Sequence, residues 1–113
     1  MSVTKLPGTC LRLTVAWFIA VLLAAPSSAG EIVRVTIKDL AFSPARTTVK
    51  VGDTIEWANG DFVDHTATDK GGAWDLAIAA GKTARLPITT AGTFAYYCKF
   101  HPGMTGRIDV DAK

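Results

Sequence analysis

Four side chains that can bind a transition metal have a spacing that suits a single ion. Three of them, Cys98, His101 and Met104, fall in one heptapeptide, and the fourth, His65, lies more than thirty residues upstream. Two imidazoles, one thiolate and a weak axial thioether form the ligand set of a blue-copper centre. The sequence therefore predicts one copper ion, cycling between Cu(II) and Cu(I), bound by these four residues.

Each of these residues has a more ordinary interpretation when it is taken alone. Cys98 could be a small buried hydrophobic residue, His101 an exposed loop residue and Met104 a core residue. The Pro-Gly pair inside the heptapeptide favours a tight turn that folds the histidine and the methionine back toward the cysteine. His65 follows a predicted strand and turn. Strand ends gather at one end of a β-sandwich, so His65 could lie beside the loop that begins at Cys98. Its neighbour Asp64 could be a ligand or could support a ligand by a hydrogen bond, but we interpret it as a solvated carboxylate, because copper prefers imidazole and thiolate.

Residues 1–29 have the pattern of a cleavable secretory signal. Lys5 and Arg12 provide a positive beginning, residues 13–25 are almost wholly apolar, and residues 27–29 are small, as required before a cleavage site. The apolar run is too short for the roughly 20 residues that span a bilayer. We therefore expect removal of this segment, export to the periplasm and no membrane span afterwards.

Removal of the signal would leave one small domain, residues 30–113. This part contains ten Lys and Arg residues and ten Asp and Glu residues, so its formal charge is near zero, which argues against a nucleic-acid partner. Cys10 would leave with the signal, and Cys98 would then have no cysteine with which to form an intramolecular disulfide. A bound metal would protect that thiol and help to stabilise so small a domain, for which we expect a monomer.

Short alternating segments between Gly, Pro and Asn turns predict an all-β domain, an antiparallel sandwich or barrel. Apolar residues alternate with polar ones at Val33, Val35 and Ile37, and the same period of two recurs in later segments up to the last, which contains Ile108 and Val110. The run from residue 76 to 80 is ambiguous between a loop and one helical turn.

The chain resembles the small cupredoxins, the type 1 blue-copper proteins, and within them the amicyanin, plastocyanin and azurin-like branch. The resemblance covers nearly all of residues 30–113, and the ligand loop is its most specific part. The spacing of two residues between its histidine and methionine is similar to that of amicyanin. The matching segments are Val49-Lys50-Val51-Gly52-Asp53-Thr54-Ile55-Glu56-Trp57, His65, Gly92-Thr93-Phe94-Ala95-Tyr96-Tyr97-Cys98 and Cys98-x2-His101-x2-Met104.

The resemblance implies a cupredoxin-like Greek-key β-sandwich and roles for residues around the metal. Thr66 stands where many members of the family have Asn, and its position implies a hydrogen-bond support for the thiolate. His101 is implied to present a ring edge at the surface, where Phe100 and Pro102 would form an apolar collar through which electrons enter.

These features predict an electron-transfer protein and not an enzyme. A copper enzyme would need an open coordination position or further copper ligands, and residues 30–113 contain only two histidines. A periplasmic protein for copper delivery or homeostasis could use the same ligands, and a metal-free adhesion domain would leave their spacing unexplained. For an electron carrier we expect redox partners such as a c-type cytochrome or a periplasmic dehydrogenase or reductase.

Overall fold

The computed structural model describes residues 2–4, 8, 13–21 and 30–113. Lys5, Cys10, Arg12 and residues 27–29 lie outside the described part of the chain, and the removal of the signal stays a prediction. The apolar side chains of residues 13–21 are exposed and belong to no strand. No helix in the described segments has the length and apolar character needed to cross a membrane.

The residues described in the structure form nine β-strands and no helix. The strands are β1 (Ile32–Lys38), β2 (Ala41–Ser43), β3 (Arg46–Lys50), β4 (Thr54–Asn59), β5 (His65–Asp69), β6 (Asp75–Ile78), β7 (Thr83–Pro87), β8 (Gly92–Tyr97) and β9 (Thr105–Asp111). They build a four-stranded sheet in the order β2-β1-β4-β7 and a five-stranded sheet in the order β3-β9-β8-β5-β6. The prediction of an all-β sandwich is confirmed.

Two strand pairs are parallel, whereas the sequence analysis expected antiparallel pairing. Strand β1 runs parallel to β4, with Ile32 opposite Thr54, and β3 runs parallel to β9, with Arg46 opposite Arg107. The chain crosses to the second sheet for β3 before it returns, so β4 can lie beside β1 in the same direction. Alternation of side chains is the same in both kinds of pair, which is why the sequence pattern did not distinguish them.

The core lies between the two sheets and is built from the residues predicted by alternation. Val35, Ile37 and Trp57 from the first sheet and Tyr96 and Ile108 from the second are 0% exposed. The Trp57 indole N–H donates a hydrogen bond of 3.3 Å to the Tyr96 hydroxyl, and the two rings cross edge to face with centroids 5.6 Å apart. Aromatic pairs in this arrangement add stability beyond the area they bury.

The ambiguous run after Trp74 is partly strand. Asp75–Ile78 forms β6, the edge strand beside β5, and His65 lies opposite Ile78. The Trp74 ring stacks at a tilt on the Trp57 and Tyr96 rings, with centroids 5.5 Å away from each. Both a loop and a helical turn were wrong for residues 76–78, because backbone pairing with β5 decides their conformation.

Glu56 is a buried carboxylate on β4 that two arginines neutralise. Arg85 donates to one carboxylate oxygen at 2.7 Å, and Arg34 donates to the other at 2.8 Å, while the Glu56 side chain is 4% exposed. The hydrogen bonds from Arg85 and then from Arg34 lower the pKa of Glu56. This ion pair joins β4 to its neighbours on both sides.

Pairing of β5 with β8 brings the two parts of the predicted metal site together. The strands are antiparallel, with Thr68 opposite Tyr97, so the start of β5 lies near the end of β8. His65 is the first residue of β5, and Cys98 directly follows β8. A separation of more than thirty residues in sequence thus becomes proximity in space.

Candidate metal centre

Cys98 begins a closed loop whose main chain is tied to itself. The Cys98 N–H donates to the Met104 carbonyl at 3.0 Å, and the Met104 N–H donates to the His101 carbonyl at 2.8 Å. The Cys98 side chain is 0% exposed, as expected when the inward alternation of β8 continues to the residue after it. The loop therefore returns the residues that follow the cysteine to the end of the strand.

Three of the four predicted ligands converge on one point. His65 Nδ1 lies 3.8 Å from Cys98 Sγ, and His101 Nδ1 lies 3.7 Å from the same sulfur. The three donor atoms all lie within 4.8 Å of one another. A first-row ion bound at roughly 2.0 Å to nitrogen and 2.3 Å to sulfur, with ligands about 120° apart, places each nitrogen about 3.7 Å from the sulfur. The arrangement fits one trigonally bound metal ion, and two imidazoles with a thiolate suit copper.

Met104 lies at the far end of the same loop and is 4% exposed, packed in the hydrophobic core. Its main chain closes the loop, as described above. The role of its thioether as an axial ligand stays a prediction.

The surroundings of the Cys98 sulfur favour the thiolate, the form that binds metals. Burial by itself raises the pKa of this thiol. The hydrogen bond from the Thr66 N–H and the ring nitrogens of His65 and His101 beside the sulfur outweigh burial and lower the pKa of Cys98 to about 6. These contacts therefore favour the thiolate over the thiol.

Thr66 contacts the ligand loop through both its backbone and its side chain. Its N–H donates to Cys98 Sγ at 3.3 Å, and its hydroxyl oxygen accepts a hydrogen bond from the Lys99 N–H at 2.8 Å. The Thr66 hydroxyl also lies 2.9 Å from that of Thr68, which donates to the Asp75 carboxylate at 2.8 Å. The threonine side chain thus links β5 directly to the residue after the cysteine.

Asp61 belongs to the site, although the sequence pattern did not indicate it. Its Oδ2 lies 2.8 Å from His65 Nε2, on the side of the ring opposite the sulfur. Hydrogen bonds from the Leu40 N–H, from His65 and from the Asp39 N–H lower the pKa of Asp61 to about 2, against the effect of partial burial. Asp64, the acid beside His65 in sequence, instead accepts a hydrogen bond from the Ala80 N–H at 2.9 Å. The turn containing Asp61, four residues before the histidine, was the available signal.

His101 is half-buried at the edge of an apolar surface. Phe100 is 59% exposed and Pro102 is also exposed, as the resemblance implied for a collar. On another side of His101, three exposed apolar residues from other loops, Leu40, Phe62 and Val63, line a groove with this histidine, which Asp39 and Asp61 also line. Phe62 is 97% exposed.

The chain is similar in sequence and structure to small copper proteins. A family model described as a cupredoxin-like domain matches residues 11–110. Amicyanin from Paracoccus denitrificans is 33% identical over 94 residues, which cover 78% of this chain and 71% of that protein. Plastocyanin from Nostoc punctiforme is 32% identical over 108 residues, covering 75% of this chain and 78% of that protein.

Solved structures of amicyanin variants have the same fold. An oxidised variant superposes with a TM-score of 0.65 at 29% identity, covering 71% of this chain and 82% of its own. The Cu(I) form of another variant gives a TM-score of 0.63 at 29% identity with the same coverage. The donor set found here fits one copper ion, the cofactor of these proteins. The chain belongs to the cupredoxins, the small blue-copper proteins that carry electrons and are not enzymes.

Proposed function

We propose that this chain is an exported electron carrier that binds one copper ion through His65, Cys98, His101 and Met104. The observation that carries the proposal is the convergence of two imidazole nitrogens on a thiolate that already accepts a backbone hydrogen bond. Bound copper would supply a one-electron Cu(II)/Cu(I) couple.

Packing and hydrogen bonds fix the positions of the donors, as fast electron transfer requires. His65 is 0% exposed on a strand buried along its whole length, and Cys98 is equally buried. The hydrogen bond from Lys99 to Thr66 fixes the ligand loop against that strand. Because the donors are held by packing and hydrogen bonds, little of the site has to rearrange when the oxidation state changes.

The apolar surface around His101 supports a role for this face in docking. We propose that Phe100, His101 and Pro102 form the point of electron entry, extended by Leu40 and Phe62. Exposed apolar patches of this kind mark protein interaction sites. The partners we propose are redox proteins such as a c-type cytochrome or a periplasmic dehydrogenase or reductase.

Export to the periplasm through a cleaved signal, residues 1–29, completes the proposal. It is supported by the signal pattern and by the core, whose residues in the described part all come from the range 33–110. Expression of the full chain in a bacterium, followed by mass measurement of the exported protein, tests cleavage before Gly30. An unprocessed mass would contradict it.

The visible spectrum of the exported protein with one equivalent of Cu(II) tests the copper site. We expect an intense blue thiolate-to-copper band that disappears on reduction and is absent from Cys98→Ser. Phe100→Ser is the matched control, because it should keep the band and slow only the reaction with a redox partner. Tight copper binding without the band would contradict an electron-transfer site and favour the alternative function, copper delivery. Slow electron self-exchange despite a blue band would favour delivery as well.

A further inference from the structure

The carboxylate of Asp61 faces the ring nitrogen of His65 that does not face the sulfur. His65 Nδ1 is 3.8 Å from Cys98 Sγ, whereas Nε2 is 2.8 Å from Asp61 Oδ2. A neutral imidazole carries its proton on one nitrogen only, and a carboxylate can only accept a hydrogen bond. The ring proton therefore belongs on Nε2, which leaves the Nδ1 lone pair free to bind a metal.

Two further donors hold this carboxylate in position. The Asp39 N–H donates to Asp61 Oδ1 at 2.7 Å, and the Leu40 N–H donates to Oδ2 at 3.0 Å. Both donors belong to the two-residue turn between β1 and β2, where Asp39 and Leu40 have φ values of 51° and 60°. A turn with two positive φ values is a normal hairpin connection, but leucine is rarely found there. The carboxylate thus connects this turn to the ligand histidine.

Among the described residues, no lysine or arginine forms an ion pair with the Asp61 carboxylate within 4.0 Å. Its one ion-pair contact there is His65. Two other carboxylates that are at least partly buried differ in this respect. Glu56 contacts two arginines, and so does Asp109. The Asp61 side chain is 11% exposed, so water screens its charge less than it would at the surface. Its negative charge therefore acts on the metal site largely through His65.

We propose that Asp61 is a positioning residue that holds His65 in the Nε2-protonated tautomer and lowers the reduction potential of the bound copper. A carboxylate behind a ligand histidine makes the imidazole a stronger donor. A stronger donor and a nearby negative charge both favour Cu(II) over Cu(I). The proposal rests on the proposed copper site and assigns a role to a residue beyond the four ligands.

Asp61→Asn and its matched control Asp39→Asn test the effect on potential. Both remove one negative charge, and Asn tolerates the positive φ of position 39 as Asp does. Asp39 lines the same groove as His101, but its side chain is exposed and makes no ion pair with His65. In Asp61→Asn we expect the ratio of Cu(I) to Cu(II) at fixed potential to rise about tenfold. For a one-electron couple, this corresponds to a reduction potential about 59 mV higher. In Asp39→Asn we expect less than about a twofold change, because solvent and salt screen an exposed charge. Equal shifts in the two variants would overturn the proposal.

The tautomer is measured independently on copper-free wild-type protein. Two-dimensional ¹⁵N NMR of the histidine rings at mildly alkaline pH should show the His65 proton on Nε2. A proton on Nδ1 would overturn the proposal whether or not the Asp61 variant folds. This measurement also separates the proposal from the copper site, since a wild type without a blue band would refute the site and leave the tautomer result unchanged.

Discussion

Replacement of Thr66 by valine should destabilise the protein by breaking the connection between β5 and the ligand loop. Thr66 is 2% exposed, and valine has nearly the same shape. The substitution removes the hydroxyl that accepts the 2.8 Å hydrogen bond from the Lys99 N–H. It keeps the Thr66 N–H, so the hydrogen bond to the cysteine sulfur remains possible.

The magnitude follows from the donor that loses its partner. A partly buried N–H left without an acceptor costs about 1–3 kcal/mol, and a buried methyl group in place of the hydroxyl offsets a part of this. We expect a loss of about 2 kcal/mol in the free energy of unfolding. For a domain of this size, that corresponds to a melting temperature roughly 8–16 °C lower.

Thr47→Val is the matched control for this substitution. Thr47 is 6% exposed, and its hydroxyl is the one buried side-chain polar group in the described residues without a hydrogen-bond partner. Removal of an unsatisfied buried hydroxyl should leave the stability unchanged or raise it by up to about 1 kcal/mol.

Thermal and urea unfolding of the copper-free proteins, followed by circular dichroism, measures both effects. The copper-loaded Thr66→Val protein should keep its blue band, because the thiolate retains its backbone donor. If the two valine variants had stabilities within about 0.5 kcal/mol of each other, the assigned role of the Thr66 hydroxyl would be refuted.

Three further predictions concern other parts of the structure. Folding lowers the pKa of Glu56, so its ion pairs stabilise the protein fully at pH values above 4.5, the ordinary pKa of this group. This stabilisation is lost as the pH falls through the lower pKa that Glu56 has in the folded protein. Glu56→Gln should therefore flatten the acid side of a plot of melting temperature against pH, and an unchanged slope would contradict the pairing. Gly106→Ala should destabilise by roughly 1–3 kcal/mol in urea unfolding, because the new methyl group would overlap the Tyr96 ring on the paired strand; wild-type stability would show that the ring is free to move. Lys99→Met should leave the midpoint potential nearly unchanged at physiological salt, since the Lys99 side chain is 45% exposed and water and salt screen its charge. A voltammetric shift of about 59 mV, a tenfold change in the redox ratio, would contradict this.

The elements that the sequence predicted are those set by local rules. Alternation of side chains depends on neighbouring residues only, so the faces of β1, β4, β8 and β9 followed from it. The heptapeptide from Cys98 to Met104 closes within itself, so its spacing was sufficient to predict that Cys98 and His101 meet. His65 was predicted as a ligand on chemical grounds, because a blue-copper site has two imidazoles and His65 is the other histidine of residues 30–113.

Features that depend on contacts between distant segments were missed. The parallel pairing of β1 with β4 follows from the order in which the chain visits the two sheets, which no local pattern records. Residues 75–78 alternate only weakly and are a strand because β5 offers an open edge.

The sequence by itself determined the predicted donor set of this protein: two imidazoles and a thiolate, a thioether as the fourth predicted ligand, and the short loop that carries three of these side chains. Tertiary structure alone decided which neighbours act on that chemistry. Asp61 and Asp64 are the same type of residue and both lie close to His65 in sequence. The Asn59 side chain accepts a hydrogen bond from the Asp61 N–H and donates one to the Val63 carbonyl. These contacts direct the intervening loop so that Asp61, and not Asp64, faces His65. The path of a loop depends on the groups it meets in space, and those groups are known only once the sheets have packed.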